Sequence, residues 1–235
     1  MNDSKRRSDA RAIDWPGHEV QQAGAGAAPA LQNRVVRNTY ALLAMTLLFS
    51  AGVAVASMAL KLPSPGIIIT LVGYFGLLYA VHKLQNSAWA LAAVFTLTGF
   101  MGYTLGPILS RFSALPNGGE VIGMALGATG VTFLALSAYV LTTRKDFSFM
   151  GGFLFAGMVI ALLAGIGAMV FEVPALAMAV SAMVALLSAG LILFETSRIV
   201  NGGETNYVMA TVGLFVSLFN LFTSLLSLFG IGNSD

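Results

Sequence analysis

The sequence predicts an all-α membrane protein of seven transmembrane helices. Three observations carry this expectation. Of 235 residues, 57% are hydrophobic and only 9% are charged, against about 25% charged in an ordinary soluble domain. Mean hydropathy is +0.84. The apolar residues gather into long runs at residues 39–60, 66–82, 88–109, 121–142, 149–171, 175–200 and 208–231. A run of about 22 residues makes a helix roughly 33 Å long, enough to cross the hydrocarbon core. The short alternating segments of a transmembrane β-barrel do not occur. With 12 Lys and Arg against 10 Asp and Glu, the chain cannot clothe a soluble surface, so a soluble domain, a disordered chain and a nucleic-acid-binding protein are excluded. The absence of cysteine removes disulfides, thiolate metal sites and thiol catalysis.

Residues 1–38 read as a flexible cytoplasmic tail. They carry Lys5, Arg6, Arg7, Arg11, Arg34 and Arg37, with an Ala/Gly-rich stretch at residues 21–30 that looks like a tether. The first apolar run starts too far from the N-terminus for a cleavable signal peptide and is expected to stay as an anchor. Pro63 and Pro65 set the start of the short second run. The later breaks carry turn chemistry and charge, as in Pro116-Asn117-Gly118-Gly119, Arg144-Lys145-Asp146, Glu172-Val173-Pro174 and residues 201–206. All are short, so residues 39–231 form one membrane domain, followed by a short outer tail at residues 232–235. The Lys/Arg bias sets orientation. A cytoplasmic N-terminus puts Arg34, Arg37, Lys83, Arg144, Lys145 and Arg198 inside and only Lys61 and Arg111 outside.

Small residues mark helix contacts: Gly102 and Gly106 in the third run, the row Gly119, Gly123 and Gly127 in the fourth, and Ser181, Ala185 and Ala189 in the sixth. These serve as packing surfaces or as a moving seam. In the seventh run Asn206, Gly213, Ser217, Asn220, Ser224 and Ser227 fall within about a quarter of the helix circumference at 100° per residue. Lipid does not tolerate such a row, so it must face protein or water, as hydrogen-bonding glue or as a polar pathway. Glu195 is the one acid well inside a run, about a turn from the cytoplasmic end of the sixth. Arg198 lies on the same face at i+3, with Ser188 and Ser181. The pair is either a shallow ion pair anchoring the helix end or a titratable gate. Glu120, Glu172 and His82 sit at run ends and read as rim charges. No serine-hydrolase elbow, HExxH pattern, paired carboxylates or clustered metal ligands occur. No catalytic residue, cofactor or metal is therefore expected.

Several blocks resemble the Bax-inhibitor family of seven-span membrane proteins, in its bacterial branch. They are residues 99–109 (GFMGYTLGPIL), 194–207 (FETSRIVNGGETNY), 210–212, 217–220 (SLFN), 62–66 (LPSPG) and 139–146 (YVLTTRKD), so the likeness covers about residues 34–231. The resemblance implies six helices surrounding a central seventh, a cytoplasmic N-terminus, a periplasmic C-terminus and residence in the bacterial inner membrane. It also implies a non-enzymatic protein that binds and modulates a membrane-embedded ATP-dependent protease of the FtsH type, which could engage the tail. Some relatives are held to be pH-gated calcium leak channels in which acids on the sixth and seventh spans share protons. Those positions match Glu195 and Ser217, and a serine cannot share a charge as a second carboxylate does. The alternative function is thus a cation leak, of calcium or protons, gated near Glu195 and lined by Arg198, Ser217, Asn220 and Ser224.

Overall fold

The computed structural model describes the backbone of residues 17–232 and the side chains of residues 32–230. Seven helices follow one another: α1 (Gly17–Ala59), α2 (Ile67–Leu84), α3 (Ala90–Ser113), α4 (Gly118–Thr143), α5 (Gly151–Val170), α6 (Pro174–Val200) and α7 (Tyr207–Gly232). A 3₁₀ turn, Ser148–Met150, leads into α5. All seven are long and apolar enough to span a bilayer, and among the described residues there is no strand. Each expected run is one helix, with ends shifted by no more than about a turn, except at the start of α1. There the helix runs through residues 21–30, where a flexible tether was expected. Alanine has the highest helix propensity, and extending an existing helix avoids the cost of nucleation. The expectations for residues 1–16 and 233–235 lie outside the described residues.

The helix ends explain where the runs stop. α1, α4 and α5 each close on a charged residue in the left-handed region: Lys61 (φ 50°), Arg144 (φ 52°) and Glu172 (φ 51°). The chain turns back there to satisfy last-turn carbonyls. Leu62 N–H donates to Ser57 O at 3.0 Å, and Val173 N–H to Ala168 O at 3.0 Å. Gly66 (φ 78°) turns the chain into α2 after Pro65, and Pro174 starts α6 at its first position, where proline has no hydrogen bond to lose.

The last helix is the core. Half of α7's membrane window is buried, against 39% for α3, 33% for α1 and 6% for α2. α1, α3, α4 and α6 pack in sequence around it, each touching α7, with α1 closing on α6. α2 packs outside against α3, and α5 outside against α6. The surround is therefore an inner ring of four helices with two outriggers. Phe215, Leu214 and Leu226 of α7 are fully buried and join Leu43, Leu97, Met101, Val121 and Ile192 from the ring.

The α1–α3 seam shows how sequence sets packing. A Cβ on Gly102 would collide with the Ser50 carbonyl, and one on Gly106 with the Ser57 side chain. Pro107, inside α3, cannot donate to the Tyr103 carbonyl one turn back. Ser57 of α1 donates to that carbonyl instead, at 3.1 Å. The Tyr103 hydroxyl in turn donates to Pro63 O at 2.8 Å. The glycine row of α4 behaves differently. Gly119, Gly123 and Gly127 are exposed, and a Cβ on any of them would meet nothing. They do not mark a helix contact within the chain. The buried face of α4 is carried by Val121, Ala125 and Thr129, which occupy the other side of the helix.

Candidate functional site

The C-terminal end of α6 and the loop into α7 gather Glu195, Arg198 and Glu204. Glu195 projects from the penultimate turn of α6 with 15% of its side chain exposed. Its carboxyl rests on Gly213 of α7. A Cβ at that position would lie 2.8 Å from the carboxyl carbon and 3.0 Å from both oxygens. The acid occupies space that glycine leaves open, and a larger residue there requires the carboxyl end to swing aside. Arg198 lies 3.7 Å from Glu195 (Nη1 to Oε2) and donates to Glu204 Oε2 at 3.1 Å. Its guanidinium also sits over the Phe194 ring, 5.5 Å from the centroid. The expected i,i+3 pair exists, but the shorter bridge goes to Glu204 in the following loop. One cation thus serves two acids.

The loop carries this arrangement into α7. Glu204 Oε1 accepts the Asn206 N–H at 3.0 Å. The Asn206 side-chain oxygen accepts the N–H of Val208 at 2.9 Å, capping α7. Its amide nitrogen donates to Gln85 O at 3.2 Å and to Asn86 Oδ1 at 3.1 Å, which ties the cap to the α2–α3 loop. Asn206 is therefore a helix cap at the membrane edge and not a lining member of the polar row.

Within the bundle, Ser217 is buried and its hydroxyl donates to Gly213 O at 2.9 Å, within its own helix. Ser224 is buried and Asn220 half-buried. Ser188 of α6 is fully buried with an unpaired hydroxyl. It lies seven residues from Glu195, as Asn220 lies seven from Gly213, so antiparallel register puts Ser188 and Asn220 at one depth. Across α7, the buried hydroxyls of Thr39 and Tyr40 are also unpaired, while Thr211 donates to Tyr207 O at 2.7 Å and toward Thr39 O at 3.3 Å. Native interiors pair the large majority of buried polar groups. The unpaired hydroxyls mark this core as unusually polar.

Two contacts near the C-terminal end of α6 escaped the sequence reading. Ser137 of α4 and Thr196 of α6 approach to 3.5 Å, both buried. Ser197 holds the α4–α5 turn onto α6, accepting the Phe147 N–H at 2.9 Å and donating to Lys145 O at 3.2 Å. Serine and threonine are common in apolar helices, and nothing in their spacing singles these out. Gly213 belongs to the expected row, but its role as the seat of Glu195 depends on how α6 and α7 cross. The rim residues Glu120, Glu172 and His82 are exposed as expected.

A seven-helix membrane bundle wound around a polar last helix, with an acid from α6 seated on it, defines the class. The chain belongs to the Bax-inhibitor family: the family model described as "Inhibitor of apoptosis-promoting Bax1" matches residues 32–234, all seven spans included. It is 52% identical over 203 residues to the Escherichia coli protein named "Modulator of FtsH protease YccA", covering 86% of this chain and 92% of that one. A Pseudomonas aeruginosa protein is also 52% identical, over 86% of this chain and 90% of its own length. A Neisseria meningitidis relative is 31% identical over 84% of this chain and 90% of its own length.

Proposed function

We propose that the protein binds and restrains a membrane-embedded ATP-dependent protease of the FtsH type, without catalytic activity of its own. The observation that carries this reading is the 52% identity, over nearly the whole length of both chains, to a protein named as a modulator of that protease. The family likeness begins at residue 32. The shared property therefore belongs to the bundle, and the preceding residues are an appendage within reach of an unfoldase. The same reading places the chain in the bacterial inner membrane, since a second relative is named an inner membrane protein. It sets the N-terminus in the cytoplasm and the C-terminus in the periplasm, following the Lys/Arg bias. Co-purification from detergent with the protease should survive deletion of residues 1–31, and overexpression should slow turnover of the protease's membrane substrates. Failure of both the full and the shortened chain to associate, with substrate turnover unchanged, overturns the proposal.

A second reading rests on a different observation, the seating of Glu195 against α7, with the unpaired Ser188 hydroxyl about two turns further along α6. It is a cation pathway, for calcium or protons, controlled at Glu195 and Arg198 and following Ser217, Asn220 and Ser224. Ser217 supplies no second acid and is engaged by its own helix, so any gate works through Glu195, Arg198 and Glu204. Proteoliposomes should then show flux that varies across roughly pH 5–8, the window in which physiological switches titrate, and that Glu195→Gln alters. A flat, flux-free profile removes this reading.

A further inference from the structure

The outer end of the α1–α3 pair opens into a cleft. Below it the two helices are knit by Ser57, Tyr103 and Gly106, and beyond that knot they part. The cleft is shallow and open, offers about 440 Å³, and is lined by Met58, Lys61, Leu62, Pro107, Ser110 and Ser113. α1 ends at Ala59 and α3 at Ser113, so the cleft lies where the bundle leaves the hydrocarbon, at headgroup depth.

Its chemistry is selective. Lys61 is the only cation in the lining, and it has no acidic partner within ion-pair distance among the described residues. It stands at φ 50°, a left-handed position that closes α1 and that glycine normally fills. A cation there also complements the carbonyl end of the helix, as Arg144 does at the end of α4. The two hydroxyls are committed as donors: Ser110 to Gly106 O at 3.0 Å and Ser113 to Ser110 O at 3.0 Å. Their oxygens face a ligand as acceptors. Met58, Leu62 and Pro107 supply an apolar wall.

We infer that this cleft binds a phospholipid whose anionic headgroup carries hydroxyl groups, of which phosphatidylglycerol is the simplest. The phosphate meets Lys61, the headgroup hydroxyls donate to Ser110 and Ser113, and the upper acyl chain lies along the apolar wall. A phosphatidylcholine headgroup offers Lys61 the same phosphate but carries no donor for the two serine oxygens, and its own trimethylammonium cation offsets the attraction. Free phosphate leaves the apolar wall uncovered.

The test is thermal unfolding of the full chain in neutral detergent, titrated separately with phosphatidylglycerol, phosphatidylcholine and inorganic phosphate. A ligand that binds the folded state raises the midpoint as its concentration passes its dissociation constant. Phosphatidylglycerol should raise it saturably and the other two should not. Lys61→Gln should weaken the apparent affinity about fivefold, the scale of one lysine–headgroup attraction, and Lys61→Arg should restore it. Lys61→Gly should raise the lipid-free midpoint, because glycine accepts φ 50° without strain, while losing the lipid response as the glutamine variant does. Arg111→Gln, close by but outside the lining, should leave the response intact. Equal responses to phosphatidylglycerol and phosphatidylcholine, a response reproduced by phosphate alone, or an Arg111→Gln loss as large as that of Lys61→Gln overturns the inference.

Discussion

At the scale of single residues, the contact between Glu195 and Gly213 couples α6 to α7. Replacing Gly213 by alanine puts a methyl group where the carboxyl lies. Overpacking of this kind costs about 1–3 kcal/mol. Gly213→Ala should therefore lower the unfolding midpoint in detergent, and adding Glu195→Ala should recover most of the loss, because the second change removes the obstacle. If the double variant is no better than the single one, the contact is not what makes position 213 intolerant. Asn206 offers a separate test, since its oxygen caps α7 while its nitrogen holds the α2–α3 loop. Asn206→Ala should cost about 1 kcal/mol for the cap and free the loop as well. Asn206→Asp should keep the cap and release only the loop, seen as faster amide exchange at residues 85–89 with little change in midpoint. The sequence marked Asn206 by the spacing of a polar row. Its role follows instead from lying one residue before the helix, where the side chain finds orphan N–H groups before it can reach the seam.

At the scale of helices, the apolar runs were legible because the bilayer demands long uninterrupted segments, and a change of solvent is written directly in composition. Which small residues meet a neighbour was not legible. Gly102 and Gly106 lie against α1, while Gly119, Gly123 and Gly127 share their spacing and touch nothing in the chain. The pattern states only that a close approach is allowed. The rotation of each helix decides whether it is used. Gly106→Ala should accordingly destabilise the protein by about 1–3 kcal/mol through collision with Ser57, and Gly123→Ala should be neutral or mildly stabilising because alanine is the better helix former. Thermal midpoints of the two variants compare these directly. The α4–α5 turn gives a pH signature. Hydrogen bonds from Ser148, and a weaker one from Ser197, hold the Asp146 carboxyl below its usual value. A carboxyl lowered in the folded state adds stability that is present above its ordinary pKa and fades as pH falls through the lowered one. Acidification below about pH 4, the ordinary aspartate value, should loosen this turn. Amide exchange at Phe147 and Ser148 should then quicken, and Asp146→Asn should abolish the pH dependence.

Across the whole molecule, burial is concentrated in the element made last. No other helix has more than 39% of its membrane window buried, and α2 has only 6%, while α7 fills the space that α1, α3, α4 and α6 leave between them. The seven spans and the polar last helix could be read from the chain. The inner ring of four with two outriggers could not, because every run is apolar enough for either place and only pairwise shape complementarity sorts them. This arrangement has a consequence for biosynthesis. During translation the first six spans enter the bilayer with their pairwise seams, such as α1–α3 and α5–α6, and the central core forms when the 26-residue α7 is inserted. A ribosome that stops in the α6–α7 loop leaves a chain of correct length for membrane residence but without the helix that joins those seams. Such a truncated chain should be extracted and degraded far faster than the complete one, measured by pulse–chase. Supplying α7 as a separate segment should rescue it. The bundle is in this sense proof-read by α7, since the central core forms only when that helix is in place.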